Sequence, residues 1–234
     1  MCGRFQLSVK GKHILERFNV EVHDQVHRPE QIPGLNFKGF NCAPMQWLPV
    51  ILNQKAGKLS YLRWGLIPPW AKDEKTAAKM INARSETILE KNTFKQAFRQ
   101  RRCLIPANGF YEWSASGSKQ PYRFFMKDES LFAMAGIWEI WTKTDGSSIS
   151  TFSILTTQNN ALLDGIHNRM PVILKREEES VWLSGNDEVE LLGLLKPYPA
   201  GEMRSYAISS LVNSVANDHE SVIKPFEKPL ELFD

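Results

Sequence analysis

Short apolar, β-branched and aromatic runs bounded by polar turn residues recur through the middle of the chain. They predict strands at Leu48–Leu52, Leu59–Trp64, Arg102–Ile105, Phe110–Trp113, Tyr122–Met126, Leu131–Trp138 and Ile149–Thr156. Turn signals at Ala56-Gly57, Asp128-Glu129 and Asp145-Gly146 divide several of these into hairpins, and Asn108-Gly109 reads as a further hairpin turn. Helical spacing predicts short helices over His13–Phe18, around Phe94, Ala97 and Phe98 after a Thr93 cap, over Glu177–Leu183, and over Glu188–Leu195 after Asn186 or Asp187. Strands and helices do not alternate regularly, which argues against a doubly wound sheet. The expectation is an α+β fold, rich in β-structure, with the sheet curled toward a barrel and helices at its periphery. No Gly/Ser- or Pro-rich linker interrupts the chain, so residues 1–234 read as one domain.

Composition narrows the class. Hydrophobic residues make up 42% and charged residues 24%, an ordinary globular balance. No apolar run approaches the roughly 20 residues of a membrane helix, and residues 1–20 lack a signal-peptide core. The three cysteines, Cys2, Cys42 and Cys103, form no CxxC pair. That disfavours a disulfide framework or structural zinc and suits a reducing cytoplasm. Charge is asymmetric. Residues 1–175 carry 24 Lys and Arg against 14 Asp and Glu, whereas residues 176–234 carry 5 against 12. A one-sided positive field attracts polyanions such as nucleic acid, although a solvated surface without a partner has the same composition.

Five segments carry candidate chemistry. At Met1-Cys2-Gly3-Arg4-Phe5, the small second residue permits removal of the initiator methionine, leaving Cys2 with an α-amine and a thiol on adjacent carbons. Their reference pKa values, about 7.7–8.0 and 8.5, leave part of the amine neutral and some thiol ionised near pH 7. Such an aminothiol condenses with an aldehyde to an imine, which the sulfur closes to a thiazolidine. Ile81–Thr87 offers Asn82, a donor and acceptor, and Arg84, a fork for phosphate. In Phe110–Trp113, Glu112 sits among aromatics and is expected to be a desolvated carboxylate fit for proton transfer. His167, where a turn feeds the apolar run after Arg169, is a candidate proton shuttle. Trp64 reads as core. Trp70, after Pro68-Pro69, reads as an exposed surface for base stacking. Each segment has a structural reading as well.

Taken together and in order, Cys2-Gly3-Arg4-Phe5, Asn41-Cys42-Ala43-Pro44, Trp64-Gly65-Leu66-Ile67-Pro68, Asn82-Ala83-Arg84-Ser85-Glu86-Thr87, Phe110-Tyr111-Glu112-Trp113 and His167-Asn168-Arg169-Met170-Pro171 resemble the SOS-response-associated peptidase family over residues 2 to about 217. The resemblance implies a β-rich pseudo-barrel and covalent capture of abasic sites in single-stranded DNA, with no metal or organic cofactor. It implies Cys2 as nucleophile, Asn82 orienting the abasic sugar or the Cys2 amine, Glu112 handling protons and His167 assisting sugar opening. Arg4, Arg84 and Trp70 then look like DNA contacts, and Asn41, Pro44 and Thr156 like pocket lining. Asn168 departs from the acidic residue that often follows the histidine, and Ala71 from the second aromatic of some members. The expected molecule is monomeric, cytoplasmic and bound to no membrane. Two other readings remain open: a cysteine peptidase, including self-removal of Met1 or a short leader, and a non-covalent reader of modified bases.

Overall fold

The structure, a computed structural model, describes residues 2–22, 39–55, 57–115, 117 and 119–226. The expected strand segments become β-strands, most with slightly different bounds. In chain order these are β1 (Phe5–Leu7), β2 (Glu21–Val22), β3 (Gly39–Cys42), β4 (Trp47–Leu52), β5 (Lys58–Trp64), β6 (Asn82–Arg84) and β7 (Arg102–Ala107). They continue with β8 (Gly109–Trp113), β9 (Pro121–Met126), β10 (Phe132–Thr142), β11 (Ser148–Gln158), β12 (Arg169–Pro171), β13 (Ile173–Leu174) and β14 (Met203–Ala207). Among the described residues, four α-helices accompany them: α1 (Gly11–Phe18), α2 (Asn92–Gln100), α3 (Glu178–Ser184) and α4 (Glu188–Gly193).

Five strands close a barrel. Antiparallel pairing runs β11, β10, β7, β4, β5, and a parallel β5–β11 contact at Arg63 opposite Thr151 and Trp64 opposite Phe152 completes the ring. A separate antiparallel sheet runs β14, β9, β8, β1, β3. The α+β, barrel-like expectation is therefore met. The two sheets pack through aromatic rings: Phe5 of β1 lies 5.3 Å from Trp64 of β5, which stacks on Phe152 of β11 at 6.2 Å. Phe110 and Phe124 stack at 5.1 Å within the second sheet. All five are fully buried, and each such ring contributes about 1.5–3 kcal/mol relative to exposure.

β11 organises the rest. One edge pairs with β10 and then β12; the other pairs with β5 and then β6. Ile154 lies opposite Asn82, and Thr156 lies opposite both Arg84 and Pro171.

Two expected hairpins have a different structure. The strands flanking Asn108-Gly109, β7 and β8, pair with other strands rather than with each other, so this dipeptide is a crossover between the sheets. Gly109 is needed for space, because a Cβ there would sit 2.8 Å from Oε1 of Gln6. Asp128-Glu129 likewise joins β9 to β10 across sheets, with Glu129 at φ 57°. Asp145-Gly146 does close the β10–β11 hairpin. Gly57 turns between the paired β4 and β5, while Ala56 lies outside the described residues.

The helix ends are held by polar contacts. Thr93 lies inside α2 rather than capping it, whereas Asp187 caps α4 through the amides of Val189 and Glu190. Arg102 is 3% exposed and donates to the carbonyls of Phe98, Arg99, Trp182 and Gly185, tying the ends of α2 and α3 together. Arg99 pairs with Glu188 and Arg101 with Glu139. Arg99, Arg101 and Arg102 therefore make contacts within the protein. Among the described residues, no helix is long and apolar enough to cross a membrane.

Candidate functional site

The N-terminal segment enters β1 with Cys2 fully buried. Its carbonyl accepts a 2.8 Å hydrogen bond from Nδ2 of Asn82, so β6 holds the chain on which Cys2 sits. Oδ1 of the same amide is buried and has no partner among the described residues. Burial, with Glu112 nearby, pushes the Cys2 thiol far above its ordinary range. This corrects the expectation of a partly ionised thiol: the sulfur is a protonated S–H and needs a proton acceptor to react.

Alternation along β8 puts Phe110 and Glu112 on one face. The other face sends Tyr111 into a small cluster with Ile208, Val212 and Val222. Glu112 is 2% exposed, and burial raises its carboxyl pKa to about 7. Its Oε2 lies 3.9 Å from Nε2 of His167. Nδ1 of His167 lies 3.0 Å from the backbone amide of Arg169 and 3.1 Å from its carbonyl, which fixes the ring with Nε2 facing Glu112. Burial lowers the His167 pKa, so the ring is neutral at physiological pH.

Sequence reasoning missed the next layer. Arg169 forks onto Glu86 at 2.5 and 2.9 Å, and its Nη2 also reaches the carbonyl and hydroxyl of Thr156. Glu86, two residues past β6, and Arg169, in β12, are 83 positions apart and meet because β6 and β12 both pair with β11. The signal in the sequence was the opposite charge that the two motifs carry.

The expected DNA contacts divide into two sets. Trp70 is 65% exposed, and Arg84 is exposed on the same face of β6 as Asn82. The loop carrying Trp70 is fixed below: the Trp141 indole donates to the Ala71 carbonyl at 2.8 Å, the Ile67 amide donates to Oγ1 of Thr151 at 2.9 Å, and Glu74 bridges Arg63 and Lys143. Arg4, by contrast, donates to Oδ1 of Asn41 and the carbonyls of Val212 and Asn213. Asn41 is 1% exposed, and its amide bonds the carbonyls of Val212, Ser214 and Asn217. Thr156 is fully buried under Arg169. Asn41 and Thr156 thus support the site from beneath instead of lining it, and Arg4 straps the 210–217 loop to the N-terminal segment. Pro44 is half-buried in the turn after β3.

Buried Cys2, desolvated Glu112, neutral His167 and an amide fixed on the Cys2 carbonyl form one constellation in which every group was expected from sequence. The profile of the family described as SOS response associated peptidase (SRAP) matches residues 1–215. The chain belongs to the SRAP family. Its curated relatives include the abasic site processing protein YoqW of Bacillus subtilis, 45% identical over 96% of this chain and 99% of that protein. The abasic site processing protein HMCES of Gallus gallus is 31% identical over 97% of this chain and 78% of that protein. A crystal structure of a protein from Bacteroides thetaiotaomicron has a TM-score of 0.85 and 31% identity, covering 97% of this chain and all of that one. This SRAP chain therefore shares both sequence and fold with its relatives along nearly its whole length.

Proposed function

We propose that the protein captures abasic sites in single-stranded DNA by a covalent thiazolidine bond to Cys2 after Met1 is removed. The observation that carries this reading is the hydrogen bond from Asn82 to the Cys2 carbonyl, together with the Glu112–His167 pair. It fixes an aminothiol beside a carboxyl that titrates near neutrality. The names of the relatives support abasic DNA as the substrate.

An abasic sugar rests mainly as a cyclic hemiacetal. Glu112 and His167 move a proton between the anomeric hydroxyl and the ring oxygen, which releases the aldehyde. The neutral Cys2 amine attacks the aldehyde carbon, and ionised Glu112 relays the two amine protons in turn to the carbonyl oxygen, which leaves as water. The S–H then adds across the C=N bond: sulfur bonds carbon, and the thiol proton passes to Glu112 and on to nitrogen. Oδ1 of Asn82 is available to orient the amine or a sugar hydroxyl. Arg84 and Trp70 suit contacts to a phosphate and to a base, respectively.

The thiol environment favours this chemistry over thiolate proteolysis. Cysteine peptidases work through a thiol pKa lowered by an adjacent histidine, whereas burial drives this one upward. Here the amine leads and the thiol follows. The same Glu112–His167 pair would serve hydrolytic release of Met1, an accessory step. Three free buried thiols suit action in a reducing compartment.

The test is intact mass spectrometry after mixing with a single-stranded oligonucleotide that carries one abasic site. The protein gains the oligonucleotide mass less one water, and Cys2→Ala gains nothing. A stable adduct on Cys2→Ala overturns the mechanism.

A further inference from the structure

The lesion-recognising groups are packed closely enough to take a fragment far smaller than a DNA strand. Beside His167 lies a cleft of about 490 Å³ lined by Arg84, Gln158, Asn159, His167, Asn168 and Arg169. That volume is typical of small-molecule sites. Asn82 and Arg84 alternate onto one face of β6, which separates them by about 6–7 Å along the strand. Asn82 fixes Cys2, and exposed Arg84 stands at the cleft. Arg169 is held by Glu86, so Arg84 is the cation on hand for a phosphate. Asn82, which holds Cys2, and Arg84, which stands at the cleft, thus share one short strand whose span is on the scale of a five-carbon sugar phosphate.

We infer that the same site captures free aldose phosphates, small aldehydes bearing a phosphate monoester, and is consumed by them as by DNA. This rests on the aldehyde-capture reading above and extends its substrate class. A pentose esterified at its 5-oxygen cannot close a six-membered ring. It therefore shares the hemiacetal–aldehyde equilibrium of an abasic nucleotide, whose 5-oxygen is also esterified. The step balances without a co-reactant. The amine nitrogen bonds the aldehyde carbon, water leaves with the carbonyl oxygen, the sulfur bonds the same carbon, and the thiol proton ends on nitrogen. No flanking nucleotide takes part in any bond made or broken.

The experiment uses protein whose loss of Met1 is verified by mass, incubated with 2-deoxyribose 5-phosphate, with 2-deoxyribose, or with neither, and then challenged with abasic single-stranded oligonucleotide. The sugar phosphate adds its mass less one water at Cys2 and blocks the later crosslink. Unphosphorylated 2-deoxyribose lacks the charge-assisted contact and also closes a six-membered ring, so it requires a concentration more than about tenfold higher for equal blocking. Arg84→Ala removes the roughly tenfold part of that difference that the contact supplies. If the oligonucleotide crosslinks fully after saturating sugar phosphate and no small adduct forms, the inference is overturned while aldehyde capture from DNA stands. If neither adds, both readings fall. Equal blocking by the two sugars overturns the phosphate seat.

Discussion

Oε2 of Glu112 and Nε2 of His167 lie 3.9 Å apart, with the carboxylate 2% exposed and the imidazole opening onto the cleft. In the proposed reaction, proton traffic between the inner aminothiol and the outer substrate would pass between these two groups. The pair joins the two sheets, since Glu112 belongs to β8 and His167 leads into β12.

The pH dependence of crosslinking follows. Glu112 accepts the thiol proton only when ionised, above about 7, and the amine attacks only when neutral, above about 7.7–8.0. His167, lowered from its ordinary value, is already neutral there. Single-turnover rates should climb from pH 6 to 8. Glu112→Gln should lower the rate on the order of 10²-fold and erase the limb near 7, leaving that of the amine. An unchanged limb assigns that titration elsewhere.

The same carboxyl makes stability depend on pH. Its pKa rises from 4.5 in the unfolded chain to about 7 in the folded one, so the folded state binds the proton more tightly. Below 4.5 both states are protonated and no difference arises. As pH climbs through 7, the folded state loses on the order of 3 kcal/mol relative to low pH. Glu112→Gln should therefore raise the denaturation midpoint at pH 8 and leave it nearly unchanged at pH 4.5. Equal shifts at both values would remove desolvation as the cause.

Met1 controls the leading nucleophile. With Met1 retained, the Cys2 nitrogen is an amide and only a reversible hemithioacetal can form. Protein blocked at Met1 should bind DNA without a stable crosslink. N-terminal mass analysis of crosslinked and uncrosslinked fractions from one preparation decides this: Met1 in the stable adduct rules out the thiazolidine.

Arg84 and Arg4 should separate in a salt titration. Losing a phosphate contact at Arg84→Ala flattens the slope of log affinity against log salt by about 0.7. Arg4→Ala removes bonds to Asn41, Val212 and Asn213, so its main effect should be lower stability with the slope kept. A flattened slope for Arg4→Ala returns that residue to the DNA surface.

Trp141→Phe deletes the indole donor to Ala71 while keeping an aromatic ring in the cluster with Ile67 and Ala77. A loosened Trp70 loop should raise the DNA concentration for half-maximal crosslinking several-fold, with the rate at saturation unchanged. Trp70→Ala should do the same. A fall in the saturating rate alone would mean that Trp141 supports the reacting groups instead.

Local pattern made the long strands readable because β4, β5, β10 and β11 each place one continuous apolar face on a core. The very short β6 and β12 were not readable, since strands of three residues carry no periodicity and exist by pairing with β11. Asn108-Gly109 misled for a related reason. The dipeptide suits a tight hairpin, but the demand on Gly109 comes from Gln6, roughly a hundred positions away. At the site, Cys2, Asn82, Glu112 and His167 were visible through the ordered set of motifs that contain them, each of which has a structural reading when taken alone. Asn41, Thr156 and the Glu86–Arg169 fork depended on partners that only the fold reveals.

The groups of the proposed reaction come from two separately hydrogen-bonded layers: Cys2 and Glu112 from one, Asn82 and His167 from the segments that pair with β11 of the barrel. Neither layer alone holds both a nucleophile and a complete proton path. A nascent or partly opened chain therefore has an N-terminal cysteine with no relay attached, and becomes armed only when the layers dock. Anything that pries them apart disarms it without touching a single reactive atom, so the quality of the folded state is checked at the moment of reaction.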